Sequence, residues 1–222
     1  MCKSIDRNGE KIMKMKKDQT GSPTGIQLSN IKTLVVAALM TAFTCVATMS
    51  IRIPTPTLGY IHPGDCLVLL CGVILGPIAG SLAAGIGSMF ADILSGYVIY
   101  GIPTLIIKGV TACIASLIFR RLKQMHKTRQ TYIFIAAGIP AEINMVFGYF
   151  INKIIQVMFL AGAFNREIFA TGVASAVTGI FSNCIQGIAG IVLGVLLLPI
   201  LSQIPDVRIW MSPKNAKQKQ II

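Results

Sequence analysis

Charged residues are scarce in this sequence, and acidic ones are the scarcest. Only 13% of the 222 residues are charged, with 8 acidic against 20 basic side chains, whereas an ordinary soluble domain is about a quarter charged. Hydrophobic residues make up 54%, and the mean hydropathy is +0.71. Several apolar runs reach the roughly 20 residues that a helix needs to cross a bilayer. The composition argues against a soluble domain and predicts an all-α, polytopic integral membrane protein.

Motifs of the common catalytic and metal-binding classes are also missing. No G-x-x-x-x-G-K-[ST] phosphate loop, no H-E-x-x-H and no G-x-S-x-G occurs. The sequence therefore gives no support for nucleotide hydrolysis by a phosphate loop, or for the hydrolases that the other two motifs mark. The six cysteines have no C-x-x-C spacing and lie mostly in apolar runs, which indicates packing rather than zinc binding. His62 and His126 have no partner at metal-ligand spacing, and we expect both at the surface. We therefore predict no enzyme activity, no metal and no cofactor.

The net charge of +12 is confined to particular parts of the chain. Six basic residues lie within positions 1–17, five within 120–129 and four more within 208–219, while only Arg52 and Arg166 fall in the alternate connections. This alternation is the positive-inside pattern of membrane proteins. It predicts that both termini and the 120–129 connection are cytoplasmic, and it argues against nucleic acid as a partner.

Six apolar segments follow the N-terminal arm. We predict residues 1–27 as a disordered, basic cytoplasmic arm, residues 28–203 as a six-transmembrane-helix bundle, and residues 204–222 as a basic cytoplasmic tail. The apolar segments are 31–51, 65–75, 78–94, 102–119, 132–161 and 170–201.

The second segment is too short to span a bilayer alone. The connection before it, "RIPTPTLGYIHPG" at 52–64, cannot be helical because three prolines interrupt it. Irregular backbone at membrane depth is tolerated only where protein covers it or where it lines a cavity. We predict that this loop folds back into the outer half of the bundle as a lid.

Polar side chains inside the apolar segments are the candidate site residues, because ionisable groups there are costly and mark function by default. On the fifth segment the spacing i, i+7, i+11 places Glu142, Tyr149 and Lys153 on one helical face. On the sixth, Asn183 and Gln186 are neighbours at i, i+3. These positions predict a polar cavity between the fourth, fifth and sixth helices. The ionisable side chains within the apolar segments are Asp92, Lys108, Glu142 and Lys153.

Structural roles are the alternatives for each of these residues. Asp92 can pair with Lys108 or cap its helix, and Lys153 can extend its amine to the membrane interface. Asn183 and Gln186 can join neighbouring helices by hydrogen bonds. The sequence leaves these alternatives open.

Small residues are concentrated on two helices. The stretch "GPIAGSLAAGIGSMFADILSGY" at 76–97 carries glycine or alanine along much of one helix and ends near Asp92. Ala38 and Ala42 form a small-x-x-x-small pair on the first helix. Such residues let helix backbones approach closely in lipid. They predict tight packing, either within the bundle or against a partner.

The sequence from about residue 33 to 201 resembles the S components, the substrate-capture subunits, of energy-coupling factor (ECF) vitamin transporters. The resemblance is carried by an ordered combination of motifs, and the sequence is similar to the riboflavin-, pyridoxine- or hydroxymethylpyrimidine-type subgroup. These motifs are "HPGDCLVLLCGVILGPIAGSLAAGIGSMFADILSGY" at 62–97, "TLIIKG" at 104–109, "AEINMVFGYF" at 141–150 and "NCIQGIAGIV" at 183–192.

The resemblance implies a protein of the prokaryotic plasma membrane that binds a water-soluble vitamin or precursor from outside. It also implies docking through Ala38 and Ala42 onto a membrane scaffold subunit that carries two cytoplasmic ATPases. The loop after the first helix would gate the ligand. The bundle lacks tryptophan, since Trp210 lies in the tail, so ring stacking would fall to a tyrosine at 60, 97, 100 or 149. The implied ligand contacts are Lys108, Glu142, Tyr149, Asn183 and Gln186, with Asp92 and Tyr97 as further candidates.

Two other functions compete with vitamin capture. One is a self-sufficient ion-coupled carrier or channel that uses Asp92, Lys108 and Glu142; uptake into liposomes holding this chain alone would favour it. The other is a membrane-embedded hydrolase that uses Asp65 and Asp92, which the sequence supports only through "HPGD" at 62–65.

Overall fold

The computed structural model describes residues 24–51, 53–54, 60–125, 128–162 and 164–211. The predicted arm up to residue 23, His126 and the tail beyond residue 211 lie outside these ranges. The described residues form seven helices and one two-stranded ladder. The helices are α1 (Thr24–Ser50), α2 (Asp65–Leu75), α3 (Pro77–Leu94), α4 (Val98–Met125), α5 (Gln130–Ala161), α6 (Arg166–Leu201) and α7 (Pro205–Trp210), and the strands are β1 (Ile53–Pro54) and β2 (Tyr60–Ile61).

Five of these helices, α1 and α3 to α6, are long and apolar enough to cross a membrane. The helical, membrane-spanning class is therefore confirmed. With 11 residues α2 falls short of that length, so the sixth crossing and the cytoplasmic placement of the termini stay predictions. Helix α4 extends past the apolar segment 102–119 at both ends. At its C-terminal end the helix continues through basic residues, which hydropathy excludes from an apolar segment.

By its contacts the chain divides into one unit at residues 1–36 and another at 37–222. In the first unit the structure describes residues 24–36, which form the beginning of α1. The packing described below belongs to the second unit.

Helix α2 forms the core of the second unit. Ten of its 11 residues are buried, and Val68, Leu69, Leu70 and Cys71 are 0% exposed. It contacts α3, α4 and α6. A helix too short to span the bilayer leaves non-helical backbone at membrane depth, where it is tolerated only if protein covers it or if it lines a cavity. The neighbouring helices supply that cover, which explains how so short a segment is accommodated.

The connection between α1 and α2 is non-helical in its described residues, as its prolines predict. Ile53 pairs with Ile61 and Pro54 with Tyr60 in the antiparallel ladder, and β2 contacts α6. Residues 55–59 lie outside the described residues, so the lid stays a prediction. His62 is only 7% exposed, and its predicted surface position is therefore wrong.

The small residues of α3 allow close backbone contact within the bundle. A Cβ atom added to Gly87 would lie 2.5 Å from the Thr41 carbonyl oxygen of α1, and one added to Gly80 would collide with the Cys71 carbonyl oxygen of α2. Tight packing of this helix is confirmed. On α1 the small pair behaves differently, because Ala38 and Ala42 are exposed while Met40 is buried.

Candidate functional site

A buried ion pair joins α2 to α4. Lys108 Nζ of α4 donates to Asp65 Oδ1 of α2, and the two side chains are 0% and 1% exposed. Gln186 of α6 donates from Nε2 to the other carboxylate oxygen, Asp65 Oδ2, at 2.9 Å. Asp65 stands in the first turn of α2, where the helix dipole also favours a negative charge. Three helices therefore converge on one carboxylate.

The same glutamine ties the α1–α2 connection to this centre. The His62 backbone N–H donates to Gln186 Oε1 at 3.3 Å, and the Gly64 N–H donates to His62 Nδ1 at 3.1 Å. Burial lowers the pKa of His62 to about 4, the Lys108 charge acts in the same direction, and Asp65 opposes both. His62 is therefore neutral at pH 7, as its acceptor role at Nδ1 requires.

Tyr149 of α5 completes the surroundings of Lys108. The Lys108 Nζ atom lies 5.3 Å from the centroid of the Tyr149 ring, a distance at which the ring attracts a cation. The Tyr149 hydroxyl is 3.1 Å from Thr104 Oγ1 of α4. Lys108, Tyr149, Gln186 and Asp65 thus form one group, which we call the central cluster.

Glu142 of α5 adds a second buried acid. Its side chain lies against Gly187 of α6, where an added Cβ atom would come within 3.2 Å of Oε2. The residue is 5% exposed, and neither carboxylate oxygen has a hydrogen-bond partner among the described residues. Buried polar groups in native proteins are almost always paired, so an unpaired carboxylate here marks a functional candidate.

An apolar groove of about 540 Å³ runs between α5 and α6. Its lining includes side chains that are more than half exposed, such as Ile143, Phe147 and Ile188. Glu142 is the single carboxylate among its lining residues. A surface of this composition suits lipid chains, so the groove is a poor match for a water-soluble ligand.

Asp92 and Tyr97 lie in a different group of residues, around the α3–α4 connection. Asp92 is 6% exposed, and its carbonyl oxygen accepts from the Tyr97 N–H at 2.8 Å. Tyr97 and Tyr100 meet edge to face, with ring centroids 6.4 Å apart. Lys153 Nζ donates to the Tyr100 hydroxyl at 3.2 Å. We call these four residues the peripheral cluster.

The structure therefore divides the predicted site residues. Lys108, Tyr149 and Gln186 belong to the central cluster, whereas Glu142 lies against Gly187 of α6. Asn183 is half-buried one turn before Gln186 on α6. Lys108 forms its ion pair with Asp65 of α2. The sequence had suggested Asp92 as a partner for Lys108.

Sequence reasoning missed Asn152 and Gln156 of α5. They are 8% and 7% exposed, and neither Asn152 Nδ2 nor Gln156 Nε2 has a hydrogen-bond partner within the described part of the chain. The helical period could have identified them. Asn152 follows Tyr149 by three residues and Gln156 follows Asn152 by four, so both continue the helical face that carries Glu142 and Tyr149. Asp65 and His62 had no such signal, since their roles depend on contacts between distant segments.

Within the described ranges, no group of three or more His, Cys, Asp or Glu side chains could hold a metal ion. The described cysteines, at 45, 66, 71, 113 and 184, are free thiols.

Comparison with known proteins relates the chain to a family and to a curated protein. Residues 28–203 match the family model described as "ECF-type riboflavin transporter, S component". The chain is also similar to an uncharacterized protein in a gap 3′ region of Pyrococcus woesei. The identity is 31% over 151 residues, which cover 67% of this chain and 87% of that protein.

Proposed function

The chain belongs to the ECF-type riboflavin transporter S-component family, and from this premise we propose that it captures a small water-soluble vitamin or vitamin precursor for import. The family is one of transporter subunits and not of enzymes, and five apolar helices support a multi-pass membrane protein. The observation that carries the proposal is the central cluster. Buried charges inside a membrane bundle are costly and mark substrate sites.

The proposed ligand contacts are Glu142, Tyr149, Asn183 and Gln186, beside the Lys108–Asp65 pair. They combine donors and acceptors with an aromatic face, as needed to read a heterocycle. Gln186 also holds the His62 backbone, which links the proposed site to the proposed lid. In the peripheral cluster, Asp92 and Tyr97 would line the approach to this site from outside the cell.

The proposed energy source is a partner. The sequence contains no phosphate loop, and Ala38 and Ala42 are exposed on α1, available to a scaffold subunit that carries two cytoplasmic ATPases. The proposed location is the prokaryotic plasma membrane, which is where such an assembly meets both external vitamin and cytoplasmic ATP.

Uptake measurements test this proposal. Radiolabelled riboflavin and other vitamins would be offered to proteoliposomes that hold the chain alone, or the chain with scaffold and ATPases. We expect ATP-dependent uptake only with the complete assembly, and loss of uptake when the ATPase nucleotide sites are inactivated. Mass spectrometry of small molecules that co-purify with the chain would identify the ligand. Gradient-driven uptake by the chain alone would instead establish the ion-coupled carrier.

A further inference from the structure

Basic side chains from two helices meet at the end of the bundle where α2 ends and α3 begins. A Cβ atom added to Gly76, between these two helices, would lie 2.9 Å from Arg120 Nη2 of α4. The short helix α7 also contacts α2, and its last turn carries Arg208. Lys123, one turn after Arg120 on α4, lies within electrostatic range of both arginines. We call Arg120, Lys123 and Arg208 the basic cluster.

Within the described part of the chain, the basic cluster forms no ion pair with an acid. Arg120 lies beside the C-terminal end of α2, where the helix dipole favours a cation. Lys123 Nζ lies 5.5 Å from the centroid of the Phe119 ring, and Arg208 is exposed. Asp206 precedes Arg208 by two residues, a spacing at which helical side chains do not face each other. The three positive charges are therefore close together and lack a compensating carboxylate.

The surroundings of the basic cluster are typical of a membrane interface. On α7, Val207 and Met211 are buried, whereas Ile209 is 52% exposed and Trp210 is half-buried. Tryptophan is enriched at the level of the lipid headgroups, and the positive-inside pattern predicts that this end of the bundle faces the cytoplasmic leaflet. Basic pockets between transmembrane helices on that side bind the headgroups of anionic lipids.

We propose that the basic cluster binds the phosphate headgroup of an anionic phospholipid of the cytoplasmic leaflet. The two arginines offer forked N–H donors to phosphate oxygens, and Lys123 adds a third positive charge. A zwitterionic headgroup carries a cation of its own, so it gains less from three uncompensated positive charges. The inference goes beyond the proposed function, since it concerns a lipid of the membrane and not the captured molecule.

The sequence contains one tryptophan, which makes this contact measurable. Trp210 follows Arg208 by two residues, so a lipid brominated near the glycerol end of an acyl chain should quench its fluorescence when bound at the basic cluster. The full-length chain would be placed in phosphatidylcholine vesicles that contain brominated phosphatidylglycerol or brominated phosphatidylcholine, in about 0.5 M sodium chloride to screen diffuse attraction. We expect at least about tenfold tighter binding of phosphatidylglycerol. Equal quenching by the two lipids, or quenching by neither, would overturn the proposal.

Matched variants separate a bound headgroup from general positive charge. Lys123→Gln and Arg208→Gln should each lower the preference for phosphatidylglycerol about fivefold. Arg121→Gln, at an exposed position of α4, removes the same charge and should change the preference less than about twofold. A loss of equal size in Arg121→Gln would overturn the proposal, because net charge alone would then explain the attraction. Replacing chloride by inorganic phosphate should leave the preference intact, and its loss would overturn the lipid as the occupant in favour of a free phosphate anion.

Discussion

Lys108 and Asp65 form an ion pair in the interior of the bundle. Their side chains are 0% and 1% exposed, so each charge is compensated by the other and not by water. The sequence suggested Lys108 as a donor to a ligand, but the structure gives its charge a partner on α2. Removing one member of a buried pair leaves the other charge uncompensated, which costs about 3–5 kcal/mol. We expect Lys108→Met to lower the thermal unfolding midpoint of the detergent-solubilised protein strongly.

The double variant Lys108→Met/Asp65→Asn separates charge from packing. It removes both charges and keeps an acceptor for Gln186, so it should recover most of the lost stability. Lys153→Met is the matched control, because Lys153 is only half-buried and its loss should change the midpoint far less. If Lys108→Met unfolded at the native midpoint, the ion pair would not be the stabilising contact that the structure indicates.

At the scale of elements, one glycine sets the distance between α2 and α4. A Cβ atom added to Gly72 would collide with the carbonyl oxygen of Ala112, and a backbone atom cannot move aside by changing rotamer. Overpacking of this kind costs about 1–3 kcal/mol. We expect Gly72→Ala to lower the thermal midpoint, whereas Gly179→Ala on α6, whose Cβ would have nothing within 4 Å, should keep or raise it. Equal shifts in both variants would contradict the close contact.

The positions of the helices could be predicted from the sequence because hydropathy is a property of each local stretch of chain. The apolar run 78–94 became α3 at Pro77–Leu94, and 132–161 became α5 at Gln130–Ala161. Contacts between elements lack such a local signal. Asp65 and Lys108 are 43 positions apart, so their pairing depends on how α2 packs in the bundle. His62 looked exposed because it lies in a proline-rich loop, and its burial depends on the contact of β2 and of its own backbone with α6.

At the scale of the whole molecule, α1 presents two different faces. Met40 and Thr44 are buried, and Thr44 Oγ1 lies 3.6 Å from Cys71 Sγ of α2. On the opposite side Ala38 and Ala42 are exposed. Small residues allow another helix to approach closely in lipid, where apolar contact alone provides no drive to associate. The exposed alanine face is therefore the proposed contact with the scaffold subunit.

Enlarging this face should uncouple capture from transport. We expect Ala42→Leu to reduce co-purification of the scaffold and ATPases at least tenfold, because the added side chain holds the two helices apart. Binding of a co-purified vitamin to the isolated chain should be unchanged, since the residues proposed to contact it lie on α5 and α6. Ala136→Leu places the same side chain at an exposed alanine of α5 and should affect neither property. Equal loss of ligand binding and of scaffold binding in Ala42→Leu would show that this alanine supports the bundle itself, and a normal yield of the complete assembly would place the scaffold contact on another face.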